Sequence, residues 1–451
     1  MSFSAFVAIV WSLLIGCSYI PFLLLLLISV FIFVSIYILN NEFKIIELDK
    51  KSCVLSIFIT WILLILMGAI PFYIIFPKEN IRDIIFLSVS LSSTSGIWTE
   101  INTINNPEFL IWQAILQWLG GLCTVLVGSF FVEMVLRKRN IINDYFSIEN
   151  IKIIFYLFLS FTIIFILLFK LFSNSWSNSI QLSMALISTS NAYLSNGDII
   201  VESNIITKII MLFAMIVGSL SISLHYRSFT QGVLSYFRNK RFKLAFILIL
   251  SITLFITMVT FNDIKIPFYE KYIDVCFLII SFISTTGLIP HNLYQYGALA
   301  NLLLILSLLC LIGGSVSSTT GGIKPTRILY IYKYISIELF RLGNPRKIKA
   351  KEKINSIDEI SQILIFTILY LALIPILASL ISIFNINFEE AFLIVISALS
   401  NTGIGLLEIA NINYYPKTFI EVILLSIILL FGRIEIFITM ILISSIFWKK
   451  L

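Results

Sequence analysis

Apolar residues in this chain come in runs of two lengths, and polar residues interrupt them at regular places. Long runs of about 20 residues, enough for a helix rising 1.5 Å per residue to cross a hydrocarbon core of roughly 30 Å, recur from end to end. They predict spans at roughly 3–19, 22–38, 52–76, 109–136, 150–172, 203–225, 242–261, 296–337 (interrupted), 358–384 and 416–448. Between them lie four shorter apolar segments, near 82–92, 178–188, 274–283 and 389–399. These are too short to cross and read as re-entrant or buried half-helices.

Each half-helix enters near charged or polar residues (Arg82 and Asp83; Asn178; Asp274; Glu389 and Glu390) and leaves through a polar tetrapeptide. The four are Ser93-Thr94-Ser95-Gly96, Ser190-Asn191-Ala192-Tyr193, Ser284-Thr285-Thr286-Gly287 and Ser400-Asn401-Thr402-Gly403, with last residues 97, 94 and 116 positions apart. One such string reads as an ordinary surface turn, but four in phase argue for a pore in four parts. Non-helical backbone at membrane depth is tolerated only when it is buried in protein or lines a water-filled cavity. Four such segments together offer a ring of carbonyl oxygens, which replaces the hydration shell of a monovalent cation without trapping it. Glycine at the end admits backbone conformations that a side chain opposes. Ser90, Ser281 and Ser397 each stand six residues before their glycine, where a hydroxyl braces half-helix against filter strand. Tyr193 departs from the pattern, either turning away from the pore or narrowing it.

The predicted fold is therefore an all-α membrane protein: an N-terminal hairpin (1–40) followed by four span/half-helix/span repeats around a pseudo-fourfold pore, at 52–138, 150–227, 242–337 and 357–449. Composition agrees, with 59% hydrophobic and 12% charged residues against about 25% charged in soluble domains. The first run continues into a second, so a cleaved signal peptide is a poor reading. The net charge of +7 resides in clusters at Arg137 to Arg139, Arg238 to Lys243, Arg341 to Lys353, and Lys449 and Lys450, all falling on one side of the spans. That side is expected to be the cytoplasm, with both termini on it. The pattern uses up the excess charge and leaves no aromatic-interleaved basic groove for nucleic acid. Five cysteines without CxxC spacing and two isolated histidines suggest neither disulfides nor a metal site, and no clustered acid, base or nucleophile calls for an enzyme.

Two features lie below the predicted filter. Gly313, Gly314, Ser317, Ser318, Thr319, Thr320, Gly321 and Gly322 belong to a ten-residue stretch with four Gly and five Ser or Thr in the middle of a span. No regular helix in lipid favours such a stretch, so it is expected to unwind and to act as a gate, or else to be a fixed break packed against a neighbour. Lys324 and Arg327 follow it, either as a marker of the interface or within reach of a cytoplasmic partner. Arg433 lies deep in the last span, where an ionisable residue is costly unless it faces a cavity or a partner. It is expected to point to the pore as a positive constriction, with Glu435, about 200° around the helix, facing protein. A structural ion pair with another span is the alternative.

The strings LSIFITWILLILMGAIPFYI (Leu55 to Ile74), WQAILQWLGG (Trp112 to Gly121), IGGSVSSTTGGIKPTR (Ile312 to Arg327), SNTGIG (Ser400 to Gly405) and LLFGRIEIF (Leu429 to Phe437) resemble, in this order, those of the Trk/Ktr/HKT superfamily of cation transporters, specifically a Trk-type bacterial potassium uptake membrane subunit. The resemblance implies potassium uptake through a homodimer with one path per subunit, in the bacterial inner (plasma) membrane. It places the filter at Gly96, Tyr193, Gly287 and Gly403, the gating loop at Gly313 through Gly322, and the pore arginine at Arg433. It also implies control by a cytoplasmic ring of Rossmann-type nucleotide-binding domains. This chain has no GxGxxG after a predicted strand, so the ring belongs to a separate chain. The departures from the family are Tyr193 for glycine, Gln113 where arginine is usual, and Ser93 and Ser95 where threonine is common. Less selective K+/Na+ transport and a non-conducting scaffold remain open readings.

Overall fold

The computed structural model describes residues 1–39, 50–97, 106–136, 148–172, 175–191, 200–201, 204–232, 234–238, 240–260, 267–295, 298–343 and 357–434. The basic segments at 137–147 and 344–356, the C-terminal residues from Glu435 onward, and Ala192 and Tyr193 lie outside the described residues.

The described chain is helical apart from one pair of two-residue strands. It opens with α1 (Ser2–Ile15) and α2 (Ile20–Leu39), which pack on each other and against α5 and α3 respectively. The first repeating unit follows as α3 (Lys50–Ile75), the short α4 (Ile81–Ser92) and α5 (Pro107–Leu136). The second is α6 (Ile148–Phe172), the short α7 (Trp176–Ile187), α8 (Ile205–Ser219) and α9 (Ile222–Gln231), with α10 (Ser235–Arg238) after it. The third is α11 (Lys240–Thr260), α12 (Phe268–Ile283), α13 (His291–Gln295), α14 (Leu303–Ile312) and α15 (Pro325–Gly343). The last is α16 (Ile357–Ser382), α17 (Phe388–Ser400), α18 (Ile404–Ile409) and α19 (Phe419–Arg433). Strands β1 (Ile200–Val201) and β2 (Ile289–Pro290) pair in parallel and join the second and third units.

Among the described residues, five helices are long and apolar enough to cross a membrane, or six if α8 and α9 are one span. Polarity is distributed inside out. Helix α2 is apolar throughout yet mostly exposed, with Phe31 at 73%, and needs a lipid solvent. The short helices α4, α7, α12 and α17 are buried instead, and serines and threonines concentrate there.

The span expected over 203–225 is not continuous. It breaks between α8 and α9, which meet at 105°. Leu220 is extended, and Ser219 and Ser221 flank it. Serine competes for backbone hydrogen bonds and here helps to end one helix and start the next. The expected break in 296–337 occurs between α14 and α15, as an excursion from one helix: the N–H groups of Ile323 and Lys324 donate to the Leu311 (2.7 Å) and Ile312 (2.9 Å) carbonyls, bypassing the ten residues between.

Candidate functional site

The four short helices end in the same way. The second residue of each exit turn is left-handed: Thr94 (φ 58°), Thr189 (50°), Thr285 (56°) and Asn401 (55°). The N–H of that residue donates to the carbonyl three positions back, Thr94 to Leu91 (2.9 Å), Thr189 to Leu186 (3.1 Å), Thr285 to Phe282 (3.2 Å) and Asn401 to Ala398 (3.2 Å). The next N–H reaches five back, Ser95 to Ser90 (3.1 Å), Ser190 to Ala185 (2.9 Å), Thr286 to Ser281 (2.8 Å) and Thr402 to Ser397 (3.0 Å). This double bond is the Schellman closure of a helix, which satisfies carbonyls that buried helix ends otherwise leave orphaned. Glycine usually occupies its left-handed position. Threonine there, β-branched, is a backbone outlier held by its surroundings, of the kind that clusters at functional sites.

This pattern sets the register of the second unit. Its turn is Ser188-Thr189-Ser190-Asn191, two residues before the string expected from spacing, so Asn191 rather than Tyr193 stands level with Gly96, Gly287 and Gly403. The signal was in the sequence: Ser188-Thr189-Ser190 repeats Ser93-Thr94-Ser95 letter for letter.

The turns meet in chain order. A Cβ added to Gly96 would lie 3.2 Å from the Asn191 Cβ, one on Gly287 2.9 Å from the Asn191 Oδ1 and 2.5 Å from the Thr402 oxygen, and one on Gly403 1.5 Å from the Ser95 oxygen. All three glycines have positive φ, and no side chain fits at Gly403 or Gly287 without displacing a backbone oxygen. The second spans close in from behind. Cβ atoms on Gly120, Gly218 and Gly432 would come within 1.8, 2.8 and 2.5 Å of the carbonyls of Ser92, Ile187 and Leu399. Ser90 Oγ donates to the Ile97 carbonyl (2.8 Å) and Ser397 Oγ to that of Gly403, the bracing expected of them; Ser281 Oγ has no partner, and Ala185 holds the equivalent place in the second unit. Hydroxyl pairs stiffen three of the turns: Ser93 with Ser95 (3.0 Å), Ser284 with Thr286 (2.8 Å) and Ser400 with Thr402 (2.8 Å).

The insert from Gly313 to Gly322 lies against these turns. The Gly321 N–H donates to Thr285 Oγ1 (3.2 Å), and a Cβ on Gly321 would be 2.0 Å from the Ser400 carbonyl. Thr319 Oγ1 donates to the Gly218 carbonyl (2.9 Å), and the Gly314 N–H to Thr320 Oγ1 (3.1 Å). Ser318 Oγ donates to the Ser315 carbonyl (2.6 Å). The insert also ties to the unexpected bend in the second unit. Ser315 gives both its N–H and its Oγ–H to the Ser219 carbonyl (2.9 Å each), and the Ile222 N–H donates to the Ser317 carbonyl (3.2 Å).

Arg433 is buried and spans two of these elements. Its guanidinium donates to the Ser93 carbonyl and Thr94 Oγ1 of the first turn and to the Thr319 carbonyl of the insert. Its partners among the described residues are neutral oxygens and not a carboxylate; Glu435 lies outside the described residues. A cavity of about 30 Å³, room for a water molecule or two, lies between Arg433, Lys324 and the insert's Ser317, Ser318 and Thr320. Lys324 turns back to Thr320, donating to its carbonyl and to Oγ1 (3.1 Å), and Arg327 stacks 3.8 Å over the Phe366 ring. Both are buried. Gln113 is buried with neither amide atom hydrogen-bonded among the described residues, and Gln117, one turn on, donates to the Asn191 carbonyl (3.2 Å). Among the described residues no group of three or more His, Cys, Asp or Glu is placed to hold a metal.

Long lipid-facing helices around four buried half-helices with convergent polar turns define a class of multi-span membrane protein. Its counterparts are found by comparison. The chain is 28% identical over 432 residues to the uncharacterized cation transporter MJ1485 of Methanocaldococcus jannaschii, covering 92% of this chain and 87% of that one. It is 25% identical over 440 residues to the Trk system potassium uptake protein TrkH of Vibrio parahaemolyticus (90% and 87% covered) and 24% over 428 residues to that of Escherichia coli (90% and 87%). The crystal structure of the potassium transporter TrkH from Vibrio parahaemolyticus superposes with a TM-score of 0.87 at 22% identity, over 99% of this chain and 96% of that one. No family model matches the chain. The resemblance read from the motifs thus extends over almost the whole length, in sequence to these transporters and in fold to the TrkH structure.

Proposed function

We propose that this chain is a membrane-embedded, channel-like potassium uptake subunit of the bacterial inner (plasma) membrane. The observation that carries the reading is the fourfold Schellman turn: four buried helix ends present the same polar backbone to one another, with glycines at the end of three of the four turns. Such backbone coordinates a monovalent cation by its carbonyl oxygens in successive weak sites. Ser93 to Gly96, Ser188 to Asn191, Ser284 to Gly287 and Ser400 to Gly403 form the filter. The insert from Gly313 to Gly322, with Arg433 bonded to its Thr319 carbonyl, forms the gate beneath. The curated relatives named for potassium uptake support the choice of ion. An inside-negative potential of 100 mV supplies about 2.3 kcal/mol per cation, so accumulation needs no enzyme chemistry in this chain. The subunit works as a homodimer with one path each, both termini cytoplasmic, and opens under a separate cytoplasmic ring of nucleotide-binding domains.

Growth at low external potassium tests the reading. Expressed with its partner in a bacterium lacking potassium uptake, the chain restores growth. A membrane-inserted protein that gives no rescue and no rubidium flux in liposomes would leave it a scaffold.

A further inference from the structure

The residue that breaks the ring's symmetry is Asn191. It stands at the level of Gly96, Gly287 and Gly403, and its side chain lies among all three. The residue is 1% exposed. Its Nδ2 donates to the Ser95 carbonyl across the ring (3.0 Å) and lies 2.7 Å from where a Cβ on Gly403 would be. Its Oδ1 is fully buried and has no hydrogen-bond partner among the described residues. A buried amide oxygen without a donor costs free energy unless something electropositive meets it. Here it is aimed at the face of Gly287, where the Thr402 backbone oxygen of the fourth turn also lies.

We infer that Asn191 is a specificity-determining residue of the cation path, its Oδ1 serving as a side-chain ligand to the passing ion while its Nδ2 withdraws the Ser95 carbonyl from coordination. The inference rests on the reading of the four turns as the path. Two consequences follow from the chemistry. An amide inside a ring otherwise closed by glycines narrows it, and a donor bonded to one ring oxygen reduces the number of oxygens available to a large, weakly hydrated cation. Both act against potassium relative to sodium. Selectivity depends on cavity size and on the number and field strength of the coordinating dipoles, and Asn191 alters each.

The test uses purified full-length protein in liposomes, with tracer rubidium and sodium influx as the probes. Asn191→Gly, which restores the symmetry of the ring, raises the rubidium-to-sodium flux ratio roughly three- to tenfold. Asn191→Asp keeps the shape of the side chain and adds an oxygen of higher field strength; although it frees the Ser95 carbonyl, the stronger field outweighs that release and moves the ratio the opposite way, toward sodium. Tyr193→Gly leaves the ratio at the wild-type value. Ratios unchanged in both Asn191 variants, or a change produced by Tyr193→Gly alone, overturn the assignment. Wild-type protein that moves neither ion would instead overturn the path itself and the inference with it. Because the aspartate variant is isosteric, it keeps the test decisive if the glycine variant fails to fold.

Discussion

The string Ser-Thr-Thr-Gly occurs twice, at 284–287 and at 318–321, and the two copies are held in different ways. The first leaves a helix, and its Thr285 and Thr286 N–H groups bond back to Phe282 and Ser281 of that same helix. The second follows an unwound stretch, places its positive φ angles on Ser317 and Gly322, and takes its partners from Gly218, Thr285 and Arg433. The same letters make a self-supporting turn in one place and a loop bonded to distant segments in the other. Local bonds persist as long as their helix does, whereas borrowed ones are lost whenever the segments shift. The first arrangement suits a filter that must keep its shape, and the second suits an element with two positions.

The comparison is broken most severely by touching the self-supported ring. Gly403 has φ 70° and ψ −143°, a region open essentially to glycine alone, and its missing Cβ would fall 1.5 Å from the Ser95 oxygen. Gly403→Ala is expected to abolish rubidium uptake while the protein still reaches the membrane, as read by surface labelling and influx together. Uptake retained at half the wild-type rate or more would place the ion path elsewhere.

Arg433 joins the two regions, so its removal is a smaller and more specific perturbation. Arg433→Ala releases Thr319 from Ser93 and Thr94 and removes a positive charge beneath the turns. Flux is expected to rise roughly tenfold, since a barrier lowered by about 1.4 kcal/mol gives that factor. The rubidium-to-sodium ratio stays as in the wild type. Loss of folded protein without any gain in flux would make the arginine a structural tie.

Much of the fold was legible in the sequence because the solvent is lipid: helix length and polarity are then tightly constrained, and half-helices at 82–92, 178–188, 274–283 and 389–399 correspond to α4, α7, α12 and α17. The break at Gly313 to Gly322 was equally visible, since glycine and serine in such density cannot stay helical in hydrocarbon. What the sequence hid depends on three-dimensional closure. The register of the second turn was read from spacing to Tyr193, whereas the helix end is fixed by where α7 runs out of hydrogen-bond partners, at Ser188. The bend at Ser219 was missed for a related reason. Gly218 stands just before it, but one glycine in an apolar run does not distinguish a bend from an intact span, and the freed Ser219 carbonyl is satisfied by Ser315, 96 residues away in the chain. Arg433 was expected at the pore by its depth alone, but its choice of two carbonyls and a threonine hydroxyl among the described residues belongs to the packed structure.

The division between a rigid ring and a movable insert is tested most directly by shortening the insert. Deletion of Ser315 to Ser317 removes both bonds to Ser219 and the Ile222 N–H bond, while Thr319 to Gly322 remain. In liposomes, with and without the proposed nucleotide-binding ring, basal rubidium flux is expected to rise and its response to nucleotide to weaken, at an unchanged rubidium-to-sodium ratio. Flux and nucleotide response both at wild-type values, or a ratio that moves while flux does not, would contradict the account.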